Sequence, residues 1–419
     1  MRILFLTENF PPETNAAATR VSERALYWIK AGHQVTVLTS APNFPGGKLF
    51  DGWSNSWRRV SDLGGIRVVR VKTYIAPNEG FAKRILDFLS FMASAFVAGL
   101  FETRPDVVVS TSPQFFAAVG GWALAAARRV PFVFELGDLW PRSITAVGAM
   151  KDSPVIGAIE ALELFLYRRS AAVVALTRAF KADLIARRIP AEKIAVVING
   201  VDLPRYAPRP RDEALEAEWG LQGKFVVGYV GTHGMAHGLI NVLDAAGRLK
   251  ETAPHIRFLL VGNGAERQML MDEARRRDLS NVVFGPPQPK ERMPAVWSLC
   301  DVALIHLKDS PAFAEVIPSK MFEAMGMGLP LLLVAPRGEA SHIVEADGAG
   351  LFVPAADPDG LAAAARRLAD DHREREALAA ASLAAAASHT RERQAELFIR
   401  VLDMVTTGRG PAEAGTVEG

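Results

Sequence analysis

Short apolar segments recur along the chain, separated by longer segments with helical periodicity. Runs such as Val107–Ser110 show no alternation of polar and apolar residues, which is typical of strands buried on both faces of a parallel sheet. In the first half, such runs predict strands at Ile3–Thr7, Gln34–Thr39, Val68–Lys72, Val107–Ser110, Phe132–Glu135, Ala172–Leu176 and Ile194–Ile198. In the second half, they predict strands at Phe225–Gly228, Arg257–Val261, Val282–Phe284, Val302–Ile305 and Leu331–Val334.

Helical periodicity fills the intervals between these strands. It predicts helices at Thr19–Ala31, Ile156–Arg169, Arg178–Arg188, Leu239–Lys250 and, in an alanine-rich stretch, Leu361–Ala387. Strand–helix repetition of this kind predicts an α/β protein built from doubly wound, Rossmann-like sheets.

A change of composition near residues 200–224 divides the chain. Asn199-Gly200 is a turn signal, three prolines between 204 and 210 stiffen a polar connector, and Phe225 begins a new series of strands. We therefore expect two similar halves with a cleft between them. The predicted parts are a first domain at 1–204, a second domain at 205–385, a C-terminal helix at 386–405 that can cross back to the first domain, and a disordered tail at 406–419.

Composition and charge argue against nucleic-acid binding, a disulfide and a metal site. The 48 basic and 46 acidic residues give a formal charge of +2, unlike the strongly basic domains that bind nucleic acid. Cys300 is the only cysteine, which excludes an intramolecular disulfide and suits a reducing cytoplasm. Of the scattered histidines, only His233 and His237 have i, i+4 spacing, and no helical His-Glu-x-x-His pattern surrounds them. No metal site is therefore predicted.

Each half opens with a strand followed by a loop of small residues. The loops are Asn15-Ala16-Ala17-Ala18 and Gly231-Thr232-His233-Gly234. Small residues at the carboxyl end of a strand let backbone N–H groups approach a phosphate. Either loop is equally explained as an ordinary tight turn, and neither matches the Gly-x-Gly-x-x-Gly dinucleotide fingerprint.

The segment 315–330 carries two glutamates separated by seven residues. Pro318 and Ser319 suit a helix start, which predicts Glu315 on the preceding loop and Glu323 in the second helical turn. Carboxylates accept strong hydrogen bonds from sugar hydroxyls, and free N–H groups at a helix start attract phosphate. The alternative is a solvated surface helix with two incidental glutamates.

At these residues the sequence resembles the family-4 retaining glycosyltransferases of GT-B fold, whose second domain carries Glu-x7-Glu. Other pieces follow in the family's order. They are Pro11-Pro12, Gly32–Thr39, Val197–Asp202, Val261–Glu266 and Gly348–Val353. Ala41–Gly47 and Asp138–Pro141 resemble a narrower branch, the N-acetyl-L-fucosamine transferases of bacterial O-antigen and capsule assembly.

This resemblance implies a role for each matching residue. Glu323 would bind the ribose hydroxyls of a nucleotide-sugar donor, and Glu315 would lie beside the transferred sugar. The rest of the implied donor site comprises Val316, Ile317, Pro318, Ser319, Gly231, Thr232, His233 and Gly234, facing Ala16 and Ala17 across the cleft. Asp138, with Glu135 and Arg142, would position the acceptor, although Asp138 is equally explained as a structural cap.

The chain departs from the family at one point. Most members place an Arg and a Lys after the second-domain glycine loop to neutralise the diphosphate, but Thr232–Leu239 contains neither. Lys320 is the candidate replacement, assisted by His233 or His237; the alternative is a solvated lysine. Asp357-Pro358-Asp359 has the pattern of a helix cap rather than a metal ligand. The resemblance therefore implies metal-independent, front-face transfer without a cofactor.

Two other functions fit the same architecture. A nucleotide-sugar 2-epimerase also has two Rossmann-like halves, but needs no acceptor and would carry several acid/base groups around the sugar. A catalytically silent nucleotide-sugar binder is disfavoured because both glutamates are present. The ordered family-4 motifs favour transfer.

The segment Ile85–Phe101 is mostly apolar, carries one charged residue, Asp87, and is slightly shorter than a membrane-spanning helix. Lys83, Arg84 and Arg104 flank it, where cations meet lipid head groups. We expect this helix to lie against the cytoplasmic leaflet of the plasma membrane and to present its Phe and Leu side chains, such as Phe88, Phe91 and Phe96, to lipid. It would then lie beside an undecaprenyl-diphosphate-linked saccharide acceptor that the resemblance implies. The protein would then be cytoplasmic and peripherally membrane-associated. The alternative is a helix buried in the first domain or in a dimer interface.

Overall fold

The computed structural model describes residues 1–44, 46–75, 81–112, 115–139 and 154–408, and the chain forms two units. The first unit comprises Met1–Ile198 with the C-terminal helix, and the second comprises Asn199–Thr390. Pro45, Trp140, Pro141, Arg142 and most of the predicted tail lie outside the described residues.

The first unit is a layered α/β structure around one sheet. Its elements are β1 (Arg2–Leu6), α1 (Ala16–Lys30), β2 (Gln34–Ser40), β3 (Arg58–Leu63), β4 (Ile66–Val71), α2 (Phe81–Leu100), β5 (Val107–Thr111), α3 (Phe115–Arg128), β6 (Phe132–Leu136), α4 (Pro154–Arg169), β7 (Ala172–Ala175), α5 (Arg178–Ala186) and β8 (Ile194–Val196). The strand order is β3-β4-β2-β1-β5-β6-β7-β8, and only β3 pairs antiparallel.

The second unit repeats the design with a sheet in which every pair is parallel. Its elements are α6 (Glu213–Glu218), β9 (Phe225–Val230), α7 (Ile240–Leu249), β10 (Ile256–Val261), α8 (Arg267–Arg276), β11 (Val282–Gly285), α9 (Met293–Trp297), β12 (Val302–His306), α10 (Lys320–Gly326), β13 (Leu331–Ala335), α11 (Glu339–Ala346), β14 (Gly350–Pro354), α12 (Pro358–Asp370) and α13 (His372–Ala386). The strand order is β11-β10-β9-β12-β13-β14.

The C-terminal helix, α14 (Arg391–Thr407), packs within the first unit. Phe398 and Trp28 lie against the guanidinium of Arg24, at 4.1 and 5.0 Å from their ring centroids, and the Trp28 indole N–H donates to the carbonyl of Ala395 at 3.0 Å. Arg391 forms an ion pair with Glu23 at 3.1 Å. Apolar burial, cation–π contact and ion pairing therefore all hold α14 on α1.

The structure revises several predicted boundaries for local reasons. Helix α1 begins at Ala16, within the segment interpreted as a loop, because the Asn15 side chain accepts from the Ala18 N–H at 2.9 Å and alanine favours helix. The predicted helix Leu361–Ala387 is two helices, because Asp371 leaves the helical conformation and caps α13 by accepting from the Glu374 N–H.

Strands β3 and β14 were missing from the sequence prediction. All six residues of β3 are exposed, so its sequence shows no core-facing pattern. Its signal was Gly64-Gly65, whose φ angles of 60° and 91° form the turn of a β3–β4 hairpin. Reading that dipeptide as a hairpin turn would have found the strand.

Candidate functional site

The candidate donor site lies at the carboxyl edge of the second sheet. β9 pairs with both β10 and β12, so the chain order reverses between neighbouring strands at this position. In open α/β sheets, ligands bind at such a switch point, in the loops that follow the strands. The loop after β9 contains Gly231-Thr232-His233-Gly234, and the segment after β12 contains Glu315 and leads into α10.

The segment Val261–Gly264 fixes the glycine loop through backbone contacts. The Gly231 amide donates to the Val261 carbonyl, and the His233 amide to the Asn263 carbonyl, both at 2.9 Å. Gly262 has a φ of 143°, and a Cβ there would lie 1.9 Å from the Gly231 carbonyl oxygen. Only glycine permits this approach. The segment quoted above as a family marker therefore shapes the candidate phosphate loop.

The two glutamates lie on two successive short helical elements of the chain. Glu315 ends a 3₁₀ turn, Pro311–Glu315, and Glu323 lies in the first turn of α10, one turn earlier than predicted, because the helix begins at Lys320. Both side chains are half-buried. Glu323 accepts from the Trp297 indole N–H at 3.4 Å. The two carboxylates thus belong to one segment at the switch point.

Between these glutamates, Val316–Pro318 form an extended connection and Ser319 precedes the helix. The Ser319 side chain makes no capping hydrogen bond, while the Pro318 and Ser319 carbonyls accept from the amides of Met321 and Phe322. Two of the first helical amides are therefore already bonded. Ser319 thus occupies the N-cap position, at the helix start that the sequence suggested, and its predicted place beside the donor stays a prediction.

Lys320 reaches back from α10 to β9. Its Nζ lies 3.8 Å from the ring centroid of Tyr229 and 2.6 Å from the position that a Cβ on Gly231 would occupy. The nitrogen is buried and has no hydrogen-bond partner among the described residues. Burial lowers the pKa of Lys320 to about 7, although the charge of Glu323 acts in the opposite direction. The alternative of a solvated lysine is therefore wrong.

The imidazole of His233 is fully buried, and neither ring nitrogen has a partner in the described part of the chain. His237 approaches the His306 carbonyl at 3.4 Å, while Nδ1 of His306 lies 2.6 Å from the His237 carbonyl. Burial lowers the pKa of all three, to about 4 for His233 and His306 and about 3 for His237. These rings are neutral at physiological pH.

Tyr229 and His306 were not selected from the sequence. Each has a polar group at the carboxyl end of an otherwise apolar strand, Phe-Val-Val-Gly-Tyr-Val and Val-Ala-Leu-Ile-His. In a parallel sheet that edge is where ligands bind, so position along the strand was the available signal.

The first unit holds the remaining predicted residues at the carboxyl edge of its own sheet, whose switch point lies between β1 and β5. Ala16 and Ala17 form the first turn of α1, with Ala16 exposed. The half-buried Asp138 follows β6, and its amide donates to Ser112 Oγ at 3.1 Å. The structure thus brings these three residues to one edge of the first sheet.

Glu135 does not fit the acceptor-positioning role suggested by the sequence. Its fully buried carboxylate binds Arg20 at 3.1 Å and Arg24 at 2.6 Å. Burial by itself would raise the pKa of Glu135, but the two guanidiniums outweigh that effect and hold it at about 2. Glu135 is a structural anion of the core.

The Asp-x-Asp segment is a cap, as predicted. Asp357 accepts from the Gly360 N–H at 2.8 Å at the start of α12, and Asp359 forms an exposed ion pair with Arg248. Over the described ranges, no group of three His, Cys, Asp or Glu side chains is arranged to hold a metal ion.

Two family models match successive parts of the chain. The model described as a glycosyl transferase 4-like domain matches residues 15–200, and that of glycosyl transferases group 1 matches residues 212–383. These matches fall on the two Rossmann-like units described above. The protein is therefore a glycosyltransferase of family 4 with the GT-B fold, an enzyme that uses a nucleotide sugar.

Two curated relatives and one solved structure are similar to this chain over most of its length. A putative colanic acid biosynthesis glycosyl transferase, WcaI of Escherichia coli K12, is 27% identical over 78% of this chain and 82% of its own length. A GDP-mannose-dependent alpha-mannosyltransferase of Mycobacterium tuberculosis is 27% identical over 86% of this chain and 87% of its own. The structure of Anabaena HepE in complex with UDP and glucose superposes with a TM-score of 0.73 at 20% identity, covering 96% of this chain and 99% of that one.

Proposed function

We propose that this glycosyltransferase is a retaining enzyme that moves a sugar from a UDP-linked donor to a lipid-linked or saccharide acceptor in the synthesis of a surface polysaccharide. The observation that carries the proposal is the grouping of Glu315, Glu323 and Lys320 on one segment at the switch point, with Lys320 reaching the glycine loop after β9. The WcaI relative, named for colanic acid biosynthesis, supports the polysaccharide context.

The chemistry requires charge stabilisation more than acid catalysis. Diphosphate leaves readily once its developing charge is offset, and preorganised charges and dipoles provide that stabilisation. Lys320 and the loop amides would offset the diphosphate, Glu323 would bind the ribose hydroxyls, and Glu315 would lie beside the oxocarbenium-like sugar. The acceptor would attack from the front face and would pass its proton to the leaving diphosphate oxygen. Asp138 would position the acceptor.

The proposed sugar and acceptor rest on the narrower resemblance. Ala41–Gly47 and Asp138–Pro141 support transfer of an N-acetylated deoxyhexosamine, as in the N-acetyl-L-fucosamine transferases, and an undecaprenyl-diphosphate-linked acceptor. The mannosyltransferase relative is named as GDP-mannose-dependent, while the HepE structure holds UDP, so the test includes both bases.

A donor panel tests the function in two stages. UDP- and GDP-linked sugars are first compared for protection against thermal unfolding, since a bound ligand stabilises the folded state. The protective donor, labelled in its sugar, is then incubated with and without a lipid-linked saccharide. We expect the label to move only when the acceptor is present. A change at sugar C2 without acceptor would instead identify an epimerase.

Glu323→Ala should weaken donor binding more than it lowers the rate of sugar transfer after the donor is bound. Loss of charged hydrogen bonds to a ribose should cost about 1–3 kcal/mol of binding free energy. Calorimetry with the protective donor measures this directly. Glu345→Ala, which removes an exposed carboxylate paired with Arg337 on the same unit, is the matched control. Unchanged affinity in Glu323→Ala would remove the ribose role.

The proposed membrane contact uses helix α2, but without Phe88 and Phe91, which were expected to face lipid. Phe91 is fully buried, and Phe88 stacks on Phe116 with ring centroids 6.5 Å apart, so these rings pack inside the first unit. The exposed apolar residues recur at helical spacing and continue just past the helix. They are Leu86, Val97, Leu100 and Phe101, with exposed fractions of 49, 52, 38 and 79%.

Neighbouring groups support contact with an anionic surface. Lys83 and Arg104 are exposed near the two ends of α2. Among the described helices, none has both the length and the apolar character needed to cross a membrane. We therefore propose that α2 lies against the cytoplasmic leaflet, with the protein peripherally associated.

The variant Leu86→Ser/Val97→Ser/Phe101→Ser tests this contact. Flotation with vesicles of phosphatidylglycerol and phosphatidylethanolamine should show wild-type binding at low salt and its loss in the variant, because apolar insertion and basic attraction act together. Ile185→Ser, an exposed apolar residue of α5, should bind like the wild type. Failure of the wild-type protein to bind these vesicles would exclude the proposal.

A further inference from the structure

The amine of Lys320 occupies an unusual place beneath the glycine loop. It lies over the face of Tyr229 and against Gly231, where any side chain other than hydrogen would collide with it. The Tyr229 hydroxyl donates to the Thr232 carbonyl at 2.7 Å. Because it keeps its proton for this bond, the hydroxyl is neutral and supplies no negative charge to the amine. The ring face of Tyr229 stabilises a positive charge there by direct contact.

The ionisable groups around the amine give it little compensation. Glu323, on the same helix, favours the charged form. Three imidazoles interact with the amine electrostatically from the loop after β9 and from the end of β12. They are His233, His237 and His306, whose neutral rings carry no negative charge that could offset the ammonium.

These contacts set the charge of the empty site. A buried ammonium with no hydrogen-bond acceptor costs free energy, and loss of its proton relieves that cost. Burial accordingly lowers the pKa of Lys320 to about 7. Near neutral pH, a substantial fraction of the empty enzyme therefore carries the uncharged amine.

We propose that binding of the donor's diphosphate at the loop Gly231–Gly234 draws a proton from solvent onto Lys320, so that the ammonium forms together with the bound anion. This inference rests on the proposed function and extends it. The charge is then in place when the bond from the sugar to the leaving diphosphate breaks, and the empty protein does not have to hold an uncompensated cation. A proton-coupled lysine thus replaces the Arg and Lys absent from Thr232–Leu239.

Proton uptake is measured by isothermal titration calorimetry of the enzyme with UDP-glucose and with GDP-mannose. The measured binding enthalpy is compared among buffers of different ionisation enthalpy, and its dependence on the buffer gives the number of protons taken up. The diphosphate diester of either ligand stays doubly charged between pH 6 and 9, so the ligand contributes no proton. We expect an uptake that increases from pH 7 to pH 8 and approaches one proton, with Kd rising by up to about tenfold per pH unit in that direction.

Variants assign the proton to its group. Lys320→Met should bind more weakly and take up no proton, whereas Lys320→Arg should bind without proton uptake because a guanidinium is already charged. His233→Gln should retain the uptake, and Lys250→Gln, which removes a lysine paired with Asp278, is the matched control. Thermal unfolding of each variant confirms that it is folded.

The outcomes separate this inference from the function on which it rests. Wild-type binding without proton uptake, or uptake that disappears in His233→Gln and persists in a Lys320 variant, would overturn the role of Lys320 while leaving the donor site intact. If neither the two probes nor the full donor panel binds, the proposed function fails and this inference fails with it.

Discussion

Replacing Glu315 by alanine is expected to lower kcat for sugar transfer by about 10²–10³-fold, the typical cost of removing one preorganised electrostatic contact to a transition state. Glu315 ends a 3₁₀ turn at the switch point, directly before the segment that leads to Lys320 and Glu323. A carboxylate beside the transferred sugar gains most of its interaction when positive charge develops on that sugar. Steady-state kinetics with the protective donor and its acceptor measure the loss.

The pattern of the kinetic change distinguishes catalysis from misfolding. Glu315→Ala should leave KM for the donor within a few-fold of wild type and should unfold at the same temperature, since the half-buried side chain is not part of the apolar core. Glu345→Ala on α11 supplies the control. If Glu315→Ala retained its full kcat, its assignment as a catalytic residue would have to be withdrawn.

The second large effect concerns stability of the first unit. Glu135→Ala should lower its free energy of unfolding by about 3–5 kcal/mol, because removing one partner of a buried ion pair leaves uncompensated charge. Here two arginines would be stranded, and both are at least nine-tenths buried. Urea unfolding of wild type and variant gives the difference, and Glu192→Ala, an exposed carboxylate of the same unit, should change it by about 0.5 kcal/mol or less.

The same carboxylate makes a specific contribution to pH dependence. Its folded pKa, about 2, lies below its ordinary value of 4.5, so its stabilising contribution is fully present above about pH 4.5 and is lost as the pH falls towards 2. The difference between wild type and Glu135→Ala should therefore shrink across that interval. A difference that stays constant from pH 7 to pH 3 would contradict this origin.

Much of the fold was predictable because its signals are local. Burial on both faces gives parallel strands continuous apolar sequences, and these located all the strands except β3 and β14 to within a few residues. Helix caps were partly visible in the same way: Asp357 caps α12, as predicted. The hairpin strand β3 was missed because an exposed edge strand needs no apolar pattern.

The sequence also located the candidate donor segment. The spacing of Glu315 and Glu323 depends only on a short stretch of backbone, and the glycine loop after β9 was recognisable by its small residues. That these two segments meet at Lys320 and Gly231 depends on strand order, since β9 and β12 are neighbours in space although about 70 residues apart in the chain.

Only the tertiary structure decided which charged and aromatic groups face solvent. Glu135 looked available to an acceptor but is held by two arginines in the core. Phe91 looked available to lipid but lies on the core-facing side of α2. Lys320 looked equally consistent with a solvated side chain, yet its amine packs on Tyr229 with no hydrogen-bond partner in the described part of the chain. The sequence determines periodicity and local capping, whereas burial and charge state depend on distant residues that the fold brings together, so the pKa of Lys320 could not be inferred from its neighbours in the chain.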